Sequence, residues 1–169
     1  MIILLGYMGS GKSAVGKHLA ASLALPFLDF DDYIEEKEGM SITEIFKSKG
    51  EIYFRKAEHI HLKELLAHKP EVVLSLGGGT PCYSGNIELI LAASKHVFYL
   101  NTSIPVLTGR LIKEKSHRPV IAHLNEADLT EFIGKHLFER NAFYRKAHHS
   151  ILVKDKSIAE IASEIKQLL

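Results

Sequence analysis

The sequence predicts an α/β protein in which a parallel sheet carries helices on both faces. Short, continuous apolar runs alternate with longer amphipathic stretches along the chain, and a run that is apolar at every position suits a parallel strand buried on both sides. The first run, residues 2–5, leads directly into Gly6-Tyr7-Met8-Gly9-Ser10-Gly11-Lys12-Ser13. That segment fits G-x-x-x-x-G-K-[ST], the pattern of a loop whose backbone N–H groups fold around phosphate oxygens. Helical spacing follows over 13–23, with Val15, Leu19 and Leu23 on one face. A helix N-terminus behind the loop adds its positive dipole end to the same place.

Taken in order, the elements place chemistry at one edge of that sheet. In the loop, Lys12 is expected to reach the β and γ phosphates and the Ser13 hydroxyl to hold Mg²⁺. A second strand over 26–30 runs into Asp29-Phe30-Asp31, where strand alternation sends both carboxylates to one face at the carboxyl edge. One carboxylate can support Mg²⁺ or its waters, and the other can take a proton from a substrate hydroxyl. Acidic residues also begin helices, and Asp32 suits that role. Residues 31–61 form an expected insertion of several helical pieces. Ser41-Ile42-Thr43-Glu44 is a capping box opening a short helix that ends near Gly50, and 51–68 continues as a longer helix. Within it Arg55 and Glu58 stand three apart, which fits either an exposed ion pair or an arginine held ready for an anionic group.

A third strand over 72–76 ends in Gly77-Gly78-Gly79, which bares backbone N–H groups and admits a ligand closely; Ser75 is placed to meet a metal-bound water. A fourth strand spans 96–100. Residues 113–124 are basic, carry a proline and lack strong periodicity, which fits a lid over the phosphates with Arg118 in it. The helical stretch 138–144 holds Arg140 and leads to a fifth strand over 150–153. Ser157-Ile158-Ala159-Glu160 is a second capping box, followed by an apolar stripe of Ile161, Ile165 and Leu168.

Composition narrows the setting. A chain of 169 residues is expected to form one domain. Its 21 Lys and Arg against 20 Asp and Glu leave a net charge of +1, which disfavours nucleic acid or a membrane surface as partner. Cys82 is the sole cysteine, so no intrachain disulfide is possible, and a reducing, cytoplasmic location is expected. The N-terminal apolar stretch is too short for a cleaved signal and leads into the phosphate loop. The ten histidines show no zinc-type spacing with Cys or carboxylate partners, and His59/His61 and His148/His149 are read as surface or partly buried.

The motifs together resemble the shikimate kinase family nearly end to end: Gly6 to Ser13, Phe27-Leu28-Asp29-Phe30-Asp31, Phe54-Arg55 with Glu58, Gly77-Gly78-Gly79, Arg118-Pro119, and Arg140 four residues before Tyr144. Ala14 stands where many members carry Thr. The resemblance implies a P-loop NTPase fold of nucleoside-monophosphate-kinase type, with a five-stranded parallel sheet, a lid and a substrate-binding insertion. It implies a monomeric enzyme of aromatic amino-acid biosynthesis that moves the ATP γ-phosphoryl group to the 3-hydroxyl of shikimate. It further implies that Asp31 binds the substrate hydroxyls and acts as base, that Lys12 and Arg118 assist catalysis, and that Arg55, Glu58, Gly77, Gly78, Gly79 and Arg140 form the shikimate subsite. Gly9, Ser10, Gly11, Lys12, Ser13 and Ala14 would cradle ATP, with Arg118 on its phosphates, Arg110 at the adenine and residues 154–156 beside the base. Mg²⁺ would be held by Ser13 directly and by Asp29 through water. A gluconate-type kinase shares the phosphate loop but not the remaining set, and a guanine-nucleotide switch would need an N-K-x-D segment that the sequence lacks.

Overall fold

A computed structural model describes residues 1–68, 71–114 and 121–169. Five strands form one sheet: β1 (Ile2–Leu5), β2 (Phe27–Asp29), β3 (Val73–Ser75), β4 (His96–Asn101) and β5 (His149–Leu152). Every pairing is parallel and the order is β2-β3-β1-β4-β5, with Ile3 opposite both Leu74 and Val97 in the central ladders. Each expected strand is present, its ends displaced by at most one residue.

The sheet is buried from both sides because β1 alternates between two cores. Ile2 and Leu4 face α1 (Lys12–Leu23) and α7 (Ile158–Lys166), against Val15, Leu19, Ile161 and Ile165. Ile3 and Leu5 face the opposite core, supplied by α2 (Phe30–Glu38), α3 (Ile42–His68), α4 (Asn86–Ala93), α5 (Ile104–Glu114) and α6 (Glu126–Tyr144). Each such fully buried Leu or Ile contributes about 1.5–3 kcal/mol. Both expected capping boxes form: the Ser41 and Ser157 hydroxyls accept from the Glu44 and Glu160 N–H groups at 3.2 Å, and each glutamate accepts from the cap N–H in return. No helix among the described residues is long and apolar enough to cross a membrane.

As expected, the backbone leaves helical geometry at Gly50 (φ 82°, ψ 171°), so α3 is two helices meeting at a kink. Two expectations change. β2 stops at Asp29 and α2 begins at Phe30, so Asp31 belongs to the first turn of a helix and not to a strand. Asp29 causes that switch, because its Oδ1 accepts from the Asp31 N–H at 3.1 Å and caps the helix. Leu168 lies past the end of α7 and is exposed, so the stripe of that helix closes at Ile165. The middle of the expected lid, including Arg118, lies outside the described residues. Its flanks are anchored: 113–114 finish α5, and Ile121 is wholly buried.

Candidate active site

The phosphate loop leaves β1 and enters α1 through Gly11, whose φ of 94° is a conformation that favours glycine. Lys12 folds back over the loop and donates from Nζ to the carbonyls of Gly6 at 2.9 Å and Tyr7 at 3.1 Å. The Ser10 N–H closes the turn on the Tyr7 carbonyl at 3.1 Å, while its buried Oγ has no hydrogen-bond partner among the described residues. Arg110, on α5, donates from Nη1 to the Gly9 carbonyl at 3.0 Å, so its guanidinium lies on the loop itself. Gly9, Gly11, Lys12 and Arg110 line a cleft of about 540 Å³ at the carboxyl edge of the sheet, shared with Ser13, Ala14, Asp29, Asp31 and Gly78, whereas Ser10 lies buried behind it.

Asp29 works at both ends of its carboxylate. Oδ1 caps α2, and Oδ2 accepts from the Ser13 hydroxyl at 2.7 Å. A hydroxyl and a carboxylate are the hard oxygen donors Mg²⁺ prefers, and Mg²⁺ bound beside phosphates takes few ligands from the protein. The described residues contain no cluster of three His, Cys, Asp or Glu able to hold a metal. The donor set thus fits an ion carried mainly by phosphates and water.

Asp31 is the buried acid of the cleft. Burial, then the negative charge of Asp29, raise its carboxyl from the usual 3.8 to about 6, with Lys12 pulling the other way. Its position depends on the glycine run after β3. A Cβ on Gly77 would lie 2.5 Å from Asp31 Oδ1, and one on Gly78 would lie 3.3 Å from the Met8 backbone nitrogen. The run therefore rests against both the acid and the phosphate loop.

Behind the run stand the two arginines. Arg55 donates from Nη1 to Glu58 Oε2 at 2.9 Å, and the other Glu58 oxygen accepts from the Thr80 hydroxyl at 2.6 Å. Arg55 also lies 4.0 Å over the Tyr83 ring, and Glu58 is 1 % exposed. A flexible surface ion pair has neither property, so the open question about this pair closes in favour of an arginine held in place. A Cβ on Gly79 would meet the guanidinium at 2.9 Å. Arg140 sits 5.6 Å over the Tyr7 ring, and Tyr144, one helical turn further on, donates from its hydroxyl to the Gly78 carbonyl at 2.6 Å. Neither arginine lines the cleft directly; Arg55 adjoins the glycine run at Gly79, and Arg140 lies over Tyr7 of the phosphate loop.

Sequence reasoning missed Thr80, Tyr83, Tyr7 and the role of Tyr144. Only Tyr144 left a signal, since it stands one helical turn after Arg140. His59 bonds to Asn86 and His61 to Glu38, and both are partly buried. Burial pushes the Cys82 thiol up to about 11, which leaves it inert as a nucleophile.

Comparison with known proteins places the chain in a family. The family model described as shikimate kinase matches residues 8–169. A shikimate kinase of Flavobacterium johnsoniae is 45 % identical over 168 residues, covering 99 % of this chain and 98 % of the relative. The crystal structure of shikimate kinase from Bacteroides thetaiotaomicron superimposes with a TM-score of 0.91 at 34 % identity, covering 99 % and 96 % of the two chains. That of the Acinetobacter baumannii enzyme in complex with shikimate gives 0.85 at 34 %, covering 99 % and 90 %. With its sequence matched from the phosphate loop to the last helix, the chain belongs to the shikimate kinase family.

Proposed function

We propose that this protein transfers the γ-phosphoryl group of ATP to the 3-hydroxyl of shikimate, releasing ADP and 3-phosphoshikimate in the shikimate pathway of aromatic amino-acid biosynthesis. One observation carries the reading. The buried acid Asp31 shares a cleft with Lys12 and touches a glycine run whose far end meets Arg55, while Arg140 lies over Tyr7 of the phosphate loop. A small carboxylate bearing several hydroxyls needs that combination of two arginines, one acceptor and close backbone.

In this mechanism Arg55 and Arg140 fix the shikimate carboxylate, with Glu58 holding the Arg55 guanidinium. The anchored ring presents its 3-hydroxyl to Asp31. As the hydroxyl oxygen bonds to the γ phosphorus and the bond to the β–γ bridging oxygen breaks, Asp31 accepts the hydroxyl proton. Lys12 leaves its loop carbonyls to follow the phosphate charge, and Arg118 adds a second cation. Gly9 to Ala14 hold the nucleotide phosphates, with Arg110 bracing the loop from the nucleotide side. Ser13 would hold Mg²⁺ directly and Asp29 would hold it through water, and the ion would supply charge neutralisation at the phosphates. The reading includes a cytoplasmic monomer made of a single kinase domain.

A coupled ADP-release assay over polyols and hydroxy acids tests the assignment. Turnover is expected with shikimate and not with gluconate. Intact ATP binding without shikimate-dependent ADP release would overturn it.

A further inference from the structure

Tyr7 occupies one of the unspecified positions of the phosphate loop, where the motif itself asks nothing of the side chain. In this protein it is 1 % exposed and its ring lies beneath the Arg140 guanidinium, 5.6 Å from Cζ to centroid. Its hydroxyl reaches His136 Nδ1 at 3.1 Å, one helical turn before Arg140 on α6. Burial and the Arg140 charge hold His136 below its ordinary value, and burial pushes the Tyr7 hydroxyl up to about 12. The hydroxyl and the imidazole Nδ1 thus share one hydrogen bond inside the protein. Phe132 packs on the other side of that imidazole at 4.1 Å between ring centres. The Tyr7 ring is thus pinned at its tip, while its own carbonyl accepts from Lys12 at 3.1 Å.

We infer that Tyr7 is a positioning residue for substrate recognition: its pinned ring holds the Arg140 guanidinium in place through a cation–π contact, from within the nucleotide-binding loop. The inference rests on the reading of Arg140 as a carboxylate-binding group. A guanidinium on a long side chain loses less freedom on binding an anion when it is already fixed. Loss of the ring therefore appears in shikimate binding and leaves ATP binding alone.

The test is a double-mutant cycle on steady-state kinetics, read as KM for shikimate and for ATP separately. Tyr7→Leu is expected to raise the shikimate KM roughly 3- to 30-fold, the range of a partly desolvated cation–π contact, with the ATP KM within about twofold of wild type. Tyr7→Phe keeps the ring and is expected to restore most of the affinity. On an Arg140→Ala background, Tyr7→Leu should add nothing further. Equal rises in both KM values, or a full additional loss on that background, would show a packing role only and overturn the inference. Should Tyr7→Leu fail to fold, Tyr7→Met carries the same prediction, since it fills the space without a π face. Wild-type enzyme inactive on shikimate would instead remove the underlying assignment.

Discussion

Asp31 carries a charge where the surroundings penalise it, and this tension suits a base. A carboxylate of ordinary acidity has little appetite for a hydroxyl proton, whereas one raised to about 6 is still ionised at neutral pH and accepts more readily. Asp31→Asn keeps the shape and removes the acceptor, so kcat should fall by roughly 10²–10⁴-fold. A change confined to KM would show that Asp31 only positions the hydroxyl. Glu58 makes a different kind of contribution. It splits its carboxylate between Arg55 and the Thr80 hydroxyl, and Thr80 is completely buried. Glu58→Ala strands that hydroxyl and frees the guanidinium. Urea titration should show a loss of roughly 1–3 kcal/mol, together with a higher shikimate KM. Unchanged stability would mean that the Thr80 hydroxyl finds another acceptor.

At the scale of elements, the glycine run after β3 separates two functions in three residues. A Cβ at Gly77 meets the acid, whereas one at Gly79 meets Arg55. Gly77→Ala should therefore lower kcat by roughly 10–100-fold, because displacing the base by about an ångström misaligns proton transfer. Gly79→Ala should act mainly on the shikimate KM. Both variants affecting the same parameter equally would contradict the division. This element also shows what sequence can tell. Its glycines and the apolar run before them predict a strand end open to a ligand, and the structure has that. The neighbours of each glycine come from Asp31 and Arg55, far away in the chain, and no local pattern names them. Similarly, the pairing of Arg55 with Glu58 was readable from its spacing. What fixes it is Thr80 and Tyr83 in the following turn, which carry no periodic signal. Asp29 and Asp31 were rightly paired for a partly wrong reason. Strand alternation does not align them, because the Asp29 side chain itself ends the strand by capping α2.

Across the whole molecule, the same acid links activity to stability. Between about 3.8 and about 6, folded Asp31 holds a proton that the unfolded chain has lost. The folded state then binds more protons, so stability falls as pH rises through this window and the cost is complete above it. Asp31→Asn should accordingly stabilise the protein at pH 8 by roughly 1–3 kcal/mol, held below the full shift because the carboxylate lines an open cleft. That gain should shrink toward zero as pH approaches 4. In wild type, kcat/KM for shikimate should show an acid limb near pH 6 that the variant lacks. A stability gain independent of pH would place the cost of Asp31 outside its ionisation.

The sheet brings these pieces to one edge: the loop after β1, the turn from β2 into α2 and the glycine run after β3 meet around a single cleft. The central claim is that phosphates and a hydroxylated carboxylate meet there across Asp31. A crystal structure with ADP and shikimate bound measures this most directly. The account predicts the shikimate carboxylate on Arg55 and Arg140, with its 3-hydroxyl about 2.6–3.2 Å from an Asp31 oxygen and directed at the β-phosphate. Shikimate held elsewhere, or with its 3-hydroxyl turned away from Asp31, would contradict it.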